Sequence, residues 1–230
     1  MIKLKNISKS FGNHAIFENV SVDLHAGKSY AIIGKSGSGK TTLLNIIGGL
    51  ENASSGQVEI DGQVVKEANL AKFRKDYFGF IFQNYGLIDT DTVEQNLLIG
   101  LANQKISKKV AQEKLKSVLK LLDLDYLNLS QKVFVLSGGE QQRLALARVI
   151  LKKPKIIFAD EPTGSLDPDN AQIILKHLLN DFGSDATILV ATHDPQVWKK
   201  CDYIIQVQEK NIKLIKNEGE GQWARLKKLC

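Results

Sequence analysis

With only two cysteines, four prolines and no apolar run of membrane-spanning length, the 230-residue chain excludes several classes at once. The cysteines are Cys201 and Cys230, the second at the last position, so no disulfide framework is expected and a reducing, cytoplasmic setting fits. The longest apolar runs, such as Tyr30–Ile33 and Ile156–Ala159, have the length of strands and fall far short of the roughly 20 residues that cross a bilayer. The opening Met1-Ile2-Lys3-Leu4-Lys5 has no apolar stretch after it, so no signal peptide is expected. Repeats, low-complexity tracts and flexible linkers are absent, which points to a single domain over 1–230. The net charge of +6 is spread over scattered lysines, not interleaved with aromatics as a single-strand groove requires. A generic basic surface is expected, with no nucleic acid partner.

What is present is an alternation of strand and helix. Ile2–Ile7, Ala15–Leu24, Val58–Ile60 and Val64-Val65 read as short strands, with turns at Phe11-Gly12-Asn13, Ala26-Gly27 and Asp61-Gly62. Tyr30–Ile33 is apolar throughout, as in a strand buried on both faces of a parallel sheet. A helix is expected from Lys40 to Ile47, stopped by Gly48-Gly49. The middle of the chain reads as helix: Thr92 and Gln95 suit a capping box before Asn96–Leu101. Between Ser107 and Leu122, Val110, Leu115, Val118, Leu119 and Leu122 make an apolar face. Strands Gly79–Phe82, Ile156–Ala159 and Ala186–Ala191, with proline-started helices after Asp167 and Asp194, complete an α/β pattern. A closing hairpin is expected around Lys210-Asn211.

Three stretches carry chemistry. Gly34-Lys35-Ser36-Gly37-Ser38-Gly39-Lys40-Thr41 matches the phosphate-binding pattern G-x-x-x-x-G-K-[ST] and lies between a strand and a helix, the context the pattern needs. Its glycines let backbone N–H groups turn toward phosphate oxygens, Lys40 supplies charge to the outer phosphates, and the Thr41 hydroxyl suits Mg²⁺. The helix N-terminus adds partial positive charge there. Ile156-Ile157-Phe158-Ala159-Asp160-Glu161 is an apolar strand ending in two acids, a Walker B arrangement. Taken alone it reads equally as two solvated acids at a strand end. Beside a phosphate loop, Asp160 suits the Mg²⁺ shell and Glu161 the general base. Third, Ser137-Gly138-Gly139-Glu140 has the form of a capping box, yet two glycines in a first turn cost roughly 1 kcal/mol each relative to alanine. They fit a helix end kept bare for an anion.

Together these stretches, with Leu136-Ser137-Gly138-Gly139-Glu140-Gln141-Gln142-Arg143 as the second nucleotide motif, resemble the ATP-binding-cassette (ABC) ATPases. The resemblance covers nearly the whole chain. It implies a P-loop NTPase fold with a RecA-like core and antiparallel β subdomain (1–83 and 152–230) and an inserted helical subdomain (84–151). It implies ATP and Mg²⁺ as ligands and a second copy of the chain as partner, the two closing over two ATP. Nucleotide binding then spreads over the phosphate loop through Thr42 and, across the dimer, over Ser137, Gly138, Gly139 and Glu140. Gln83 resembles the glutamine that senses Mg²⁺ and attacking water, Ser165-Leu166-Asp167 the loop across the dimer interface, and His193 the switch histidine at the γ-phosphate. Phe11 stands where the family places an adenine-stacking aromatic, more often tyrosine.

Glu161–Asp167, Ser36–Gly39 and Gly138–Arg143 further resemble the branch holding the MacB, lipoprotein-releasing, FtsE and antimicrobial-peptide (BceA-type) ATPases. Phe82–Asp89 resembles the ATPases of bacteriocin exporters. That branch implies an integral membrane permease as partner and a place at the inner face of the membrane. Exposed Tyr85, Leu87 and Ile88 are expected to receive the permease, the alternative being that they pack within the helical subdomain. An FtsE-like regulator acting through a non-transporting permease would use the same chemistry. DNA-repair ATPases share the nucleotide motifs but insert long coiled coils, and no sustained heptad run lies between Lys40 and Ser137. The tail Gln222–Cys230, with Arg225, Lys227 and Lys228 beside Trp223 and Leu226, reads either as a loosely packed terminus or as a contact for anionic lipid or the partner.

Overall fold

The computed structural model describes residues 1–164 and 166–219. β1 (Ile2–Phe11) and β2 (His14–Leu24) pair antiparallel across the turn at Gly12. β3 (Ser29–Ile33) is buried along nearly its whole length, as its unbroken apolar run dictates. α1 (Lys40–Ile47) follows and stops at Gly48-Gly49. β4 (Ser55–Ile60) and β5 (Gln63–Val64) complete the antiparallel sheet, in the order β2-β1-β4-β5.

α2 (Glu67–Asp76) was not expected from the sequence. Only Phe73 of its ten residues is buried, so no apolar period marks it. A local device starts it instead: the Lys66 N–H donates to Asn69 Oδ1 at 2.9 Å. β6 (Phe78–Ile81) then enters the second sheet.

The helical part holds α3 (Val93–Leu101), α4 (Lys108–Leu121) and α5 (Gly138–Lys152). The capping box before α3 is formed: the Gln95 N–H donates to Thr92 Oγ1 at 3.1 Å, and the Thr92 N–H to Gln95 Oε1 at 2.8 Å. Leu115, Val118, Leu119 and Leu122 of the expected α4 face are buried, whereas Val110, in the first turn, is 38% exposed. Leu97, Leu101, Leu115 and Leu144 share one apolar cluster with Ile157, Ala159 and Val190 of the sheet.

β7 (Ile156–Asp160), α6 (Pro168–Asn180), β8 (Thr187–Ala191) and α7 (Pro195–Trp198) alternate as expected, with Asp167 and Asp194 as the N-caps before Pro168 and Pro195. β9 (Tyr203–Gln208) and β10 (Asn211–Lys216) form the closing hairpin. Its turn is Glu209-Lys210, one residue earlier than expected, with φ of 49° and 62°. Two successive left-handed residues give the turn the twist of its strands.

The second sheet runs β10-β9-β3-β8-β7-β6, parallel from β9 to β6. This order decides where the chemistry gathers. The loops after β3, β8, β7 and β6 leave neighbouring strands at one edge, the carboxyl edge where open α/β sheets bind ligands. The registers Asp160↔Ala191, Ile32↔Ala191 and Ile81↔Ala159 bring the strand ends level.

Candidate functional site

The phosphate loop bridges the end of β3 and the start of α1. Gly39 has φ of 102°, and a Cβ there would lie 2.4 Å from Ile16 Cγ2, so geometry and space both require glycine. Gly34 is closed in by Val207 O, which a Cβ would approach to 2.6 Å. Lys35, Ser36 and Gly37 are exposed at the rim, while Ser38 and Thr42 are half-buried. Lys40 Nζ donates to Gly34 O at 3.0 Å and Lys35 O at 3.3 Å, which lays its ammonium across the loop. The Ser38 hydroxyl is buried with no protein partner. An orphaned donor inside a glycine-rich loop at a helix N-terminus fits a phosphate group.

The Thr41 hydroxyl donates to Asp160 Oδ1 at 3.0 Å and so joins the loop to the end of β7. Burial pushes the Asp160 carboxyl above its usual range, with Thr41 and Lys40 opposing and neighbouring Glu161 adding. Such a carboxylate gains from a cation at its side. Among the described residues no group of three His, Cys, Asp or Glu side chains could hold a metal. Two hard oxygens with phosphate beside them are the usual protein share for Mg²⁺, which keeps waters and phosphate oxygens as its other ligands. Gln83 is exposed and lines a cleft of about 570 Å³ together with Asp160, Phe82, Asn84 and Tyr85.

Glu161 sits at φ 43°, a left-handed conformation rare for a side-chain-bearing residue. Its N–H is held by Ala191 O at 2.9 Å, and its own carbonyl accepts from Gly164 N–H at 3.1 Å. The loop after β8 grips the carboxylate. His193 Nδ1 lies 2.9 Å from Glu161 Oε1, and the Thr192 hydroxyl is 3.3 Å from Oε2. Thr192 is fully buried and its oxygen accepts the Asp194 N–H at 3.0 Å. The His193 side chain is 67% exposed despite this contact with Glu161.

Ser137 caps α5 with extended backbone. The Glu140 carboxylate takes the Ser137 N–H at 2.7 Å and the Ser137 hydroxyl at 2.6 Å, and the Tyr126 hydroxyl bonds its other oxygen at 2.7 Å. The Ser137 contact holds the Glu140 carboxyl below its usual range. The two glycines have neighbours the sequence did not reveal. A Cβ on Gly138 would lie 2.8 Å from the Tyr85 hydroxyl, and one on Gly139 2.8 Å from Asn170 Cγ. Side-chain ends from elsewhere in the chain thus crowd both positions.

Phe11 ends β1 with its ring 51% exposed. Of the expected permease surface, only Ile88 stands out, at 45% exposure. Leu87 packs against the helical core and Tyr85, half-buried at φ 63°, leans over Gly138. Buried Asn96 holds both backbone groups of Ile88, at 2.9 and 3.0 Å, and so fixes the outward display of that side chain. Phe134 and Val135, 64% and 60% exposed, adjoin it because the Phe134 N–H donates to Asp89 O. Arg148 of α5 donates to Gly86 O at 2.7 Å, a second tie between that loop and the helix begun by Ser137. None of these long-range partners has a local signal in the sequence. Asp167 caps α6, while Ser165 and the tail Gln222–Cys230 lie outside the described residues.

Residues 17–164 match the family described as ABC transporter. The chain belongs to the ABC transporter family. It is an ABC ATPase, and its fold is that of the ABC ATP-binding cassette. It is 38% identical over 229 residues to the bacitracin export ATP-binding protein BceA of Halalkalibacterium halodurans, covering 96% of this chain and 90% of that protein. It is 40% identical over 217 residues to the macrolide export ATP-binding/permease protein MacB of Campylobacter jejuni, covering 92% of this ABC ATPase but 33% of MacB. Among solved structures, the dimeric post-hydrolysis state of the cassette MJ0796 bound to ADP and Pi superposes with a TM-score of 0.83 at 33% identity, covering 96% of this chain and all of that one.

Proposed function

We propose that this ABC ATPase drives an export or resistance permease for a bacteriocin or other antimicrobial peptide, docked at the inner face of the membrane. No helix among the described residues is long and apolar enough to cross a bilayer, and in this reading a membrane partner carries the translocation. The observation that carries the ATPase part of the reading is the side-by-side placement, at one sheet edge, of the loop Gly34–Thr41, Asp160-Glu161, Gln83 and His193; the likeness to the bacitracin export ATP-binding protein supports the antimicrobial-peptide part.

In this reading ATP lies in the loop from Gly34 to Thr42, with adenine against Phe11. Thr41, Asp160 and Gln83 would hold Mg²⁺, which when bound neutralises charge on the β- and γ-phosphates. Glu161 takes the proton of the attacking water, its carboxylate aimed by Thr192 and His193. His193 then turns to the γ-phosphate. A second copy presents Ser137, Gly138, Gly139 and Glu140 to that phosphate, using N–H groups at the start of α5. The segment 84–151 acts as the helical subdomain, and Ile88, Phe134 and Val135 face the permease.

Replacing Glu161 by Gln keeps shape but removes the proton acceptor. Turnover is expected to fall by about 10²–10⁴-fold with ATP binding retained. Unchanged steady-state hydrolysis by the purified variant would remove Glu161 from the role of base.

A further inference from the structure

Lys9 is the one lysine or arginine among the described residues that is buried, with 8% exposure. An ammonium leaves water only when it is well paired. β1 places it by a local irregularity. Asn6 adopts φ 51° and the pairing with β2 shifts register between Leu4 and Ile7. From there the two-residue period sets Ile7, Lys9 and Phe11 on one face. Ile7 and Lys9 are buried, and Phe11, at the strand end, extends beyond the core.

Lys9 Nζ donates to Glu51 Oε1 at 2.6 Å and to Asn52 O at 2.8 Å. Its contact with Glu51 holds that carboxyl below the usual range. Glu51 and Asn52 follow the end of α1, the helix that begins at the phosphate loop. The same ammonium stands 4.6 Å from the centroid of the Phe11 ring. One ring face is thus covered by a cation gripped from behind, while Phe11 as a whole is 51% exposed.

We infer that Lys9 is a positioning residue for the nucleotide: it fixes the Phe11 ring through its inner face so that the outer face meets adenine. The ring's negative face attracts the cation, and the fixed rotamer removes an ordering cost that binding would otherwise meet. The inference rests on reading Phe11 as the adenine platform. A purely structural Lys9, tying α1 to the sheet, would instead disturb stability and phosphate binding alike.

The test compares Lys9→Met, Lys9→Arg, Phe11→Ala and the Lys9→Met/Phe11→Ala pair. It measures ATP KM, kcat and the inhibition constant of inorganic triphosphate, which has no base. Lys9→Met should raise the KM for ATP about two- to five-fold, the scale of one cation–π contact, with kcat unchanged. Triphosphate should inhibit it as it does the parent, and Lys9→Arg should restore the KM. In the Phe11→Ala background Lys9→Met should add nothing. An equal loss in that background, or an equal weakening of triphosphate, would assign Lys9 a structural role and overturn the inference. If Phe11→Ala weakens ATP but Lys9→Met does not, the inference fails and the adenine platform stands. If Phe11→Ala leaves the KM unchanged, the platform itself fails and the inference with it. Should Lys9→Met not fold, Glu51→Ala loosens the same ammonium from an exposed partner and should raise the KM about two-fold. An unchanged KM there would overturn the inference.

Discussion

Gly100 offers a sharp test of how the helical part holds the helix that Ser137 begins. It lies in α3, buried against α5. A Cβ on it would meet Arg148 O at 2.4 Å, Leu151 Cβ at 3.0 Å and Arg148 C at 3.3 Å. The nearest of these is a carbonyl inside α5, which cannot yield without bending that helix. Alanine favours an isolated helix by about 1 kcal/mol over glycine. Overpacking a close contact costs about 1–3 kcal/mol, and a backbone obstacle puts this site at the upper end. Gly100→Ala should therefore destabilise by about 1–2 kcal/mol net. For a domain of this size that is a melting temperature lower by roughly 2–8 °C, read by calorimetry. The sheet edge is built from other elements, so the monomer's affinity for ATP should hold. An alanine variant that melts at or above the parent would refute the close helix contact and, with it, the placement of α5.

Three further outcomes follow from particular residues. Cys201 is buried with its thiol pushed up to about 12 by loss of solvent, so in a Cys230→Ser chain at pH 8 alkylation should proceed only through opening of the fold and slow when ATP is added; prompt labelling would contradict its burial. The Glu140 carboxyl sits below its ordinary 4.5, so the stability it contributes is full above that pH and lost as pH falls through its lower folded value. Glu140→Gln should flatten this acid limb of the melting curve, and an unchanged limb would remove the Ser137 contact as its cause. Ile88→Asp with Phe134→Asp should weaken co-purification of a membrane permease with the tagged subunit, folding being checked by thermal melt; equal capture would place the docking surface elsewhere.

The sequence disclosed whatever depends on neighbours along the chain. Runs such as Tyr30–Ile33 marked strands buried on two faces, and Ser137, Asp167 and Asp194 marked helix starts to the residue, whereas the helix after Thr92 begins at Val93, three residues before the expected Asn96. The G-x-x-x-x-G-K-[ST] pattern between β3 and α1 and the acid pair ending β7 stood out in the sequence because the chemistry expected of them needs fixed spacing. α2 was not, since a helix with one buried residue leaves no period. Nor were the contacts of Tyr85 over Gly138, Asn170 over Gly139, Arg148 to Gly86 or Lys9 to Glu51, which unite residues far apart in the chain. Such contacts come from the tertiary fold and have no local pattern. They also add to the reading of a motif: Gly138 and Gly139, expected to be bare for an anion, lie under the ends of the Tyr85 and Asn170 side chains.

The central claim is that two copies close over ATP, each completing the other's site through the start of α5. Light scattering on a size-exclusion column tests it directly with Glu161→Gln, the variant expected to hold ATP without consuming it. The variant should run as a dimer with ATP and Mg²⁺ and as a monomer without them. Adding Ser137→Arg, which sets bulk where the γ-phosphate would approach, should abolish the dimer while the monomer still binds ATP. A double variant that dimerises with ATP as before would contradict the account.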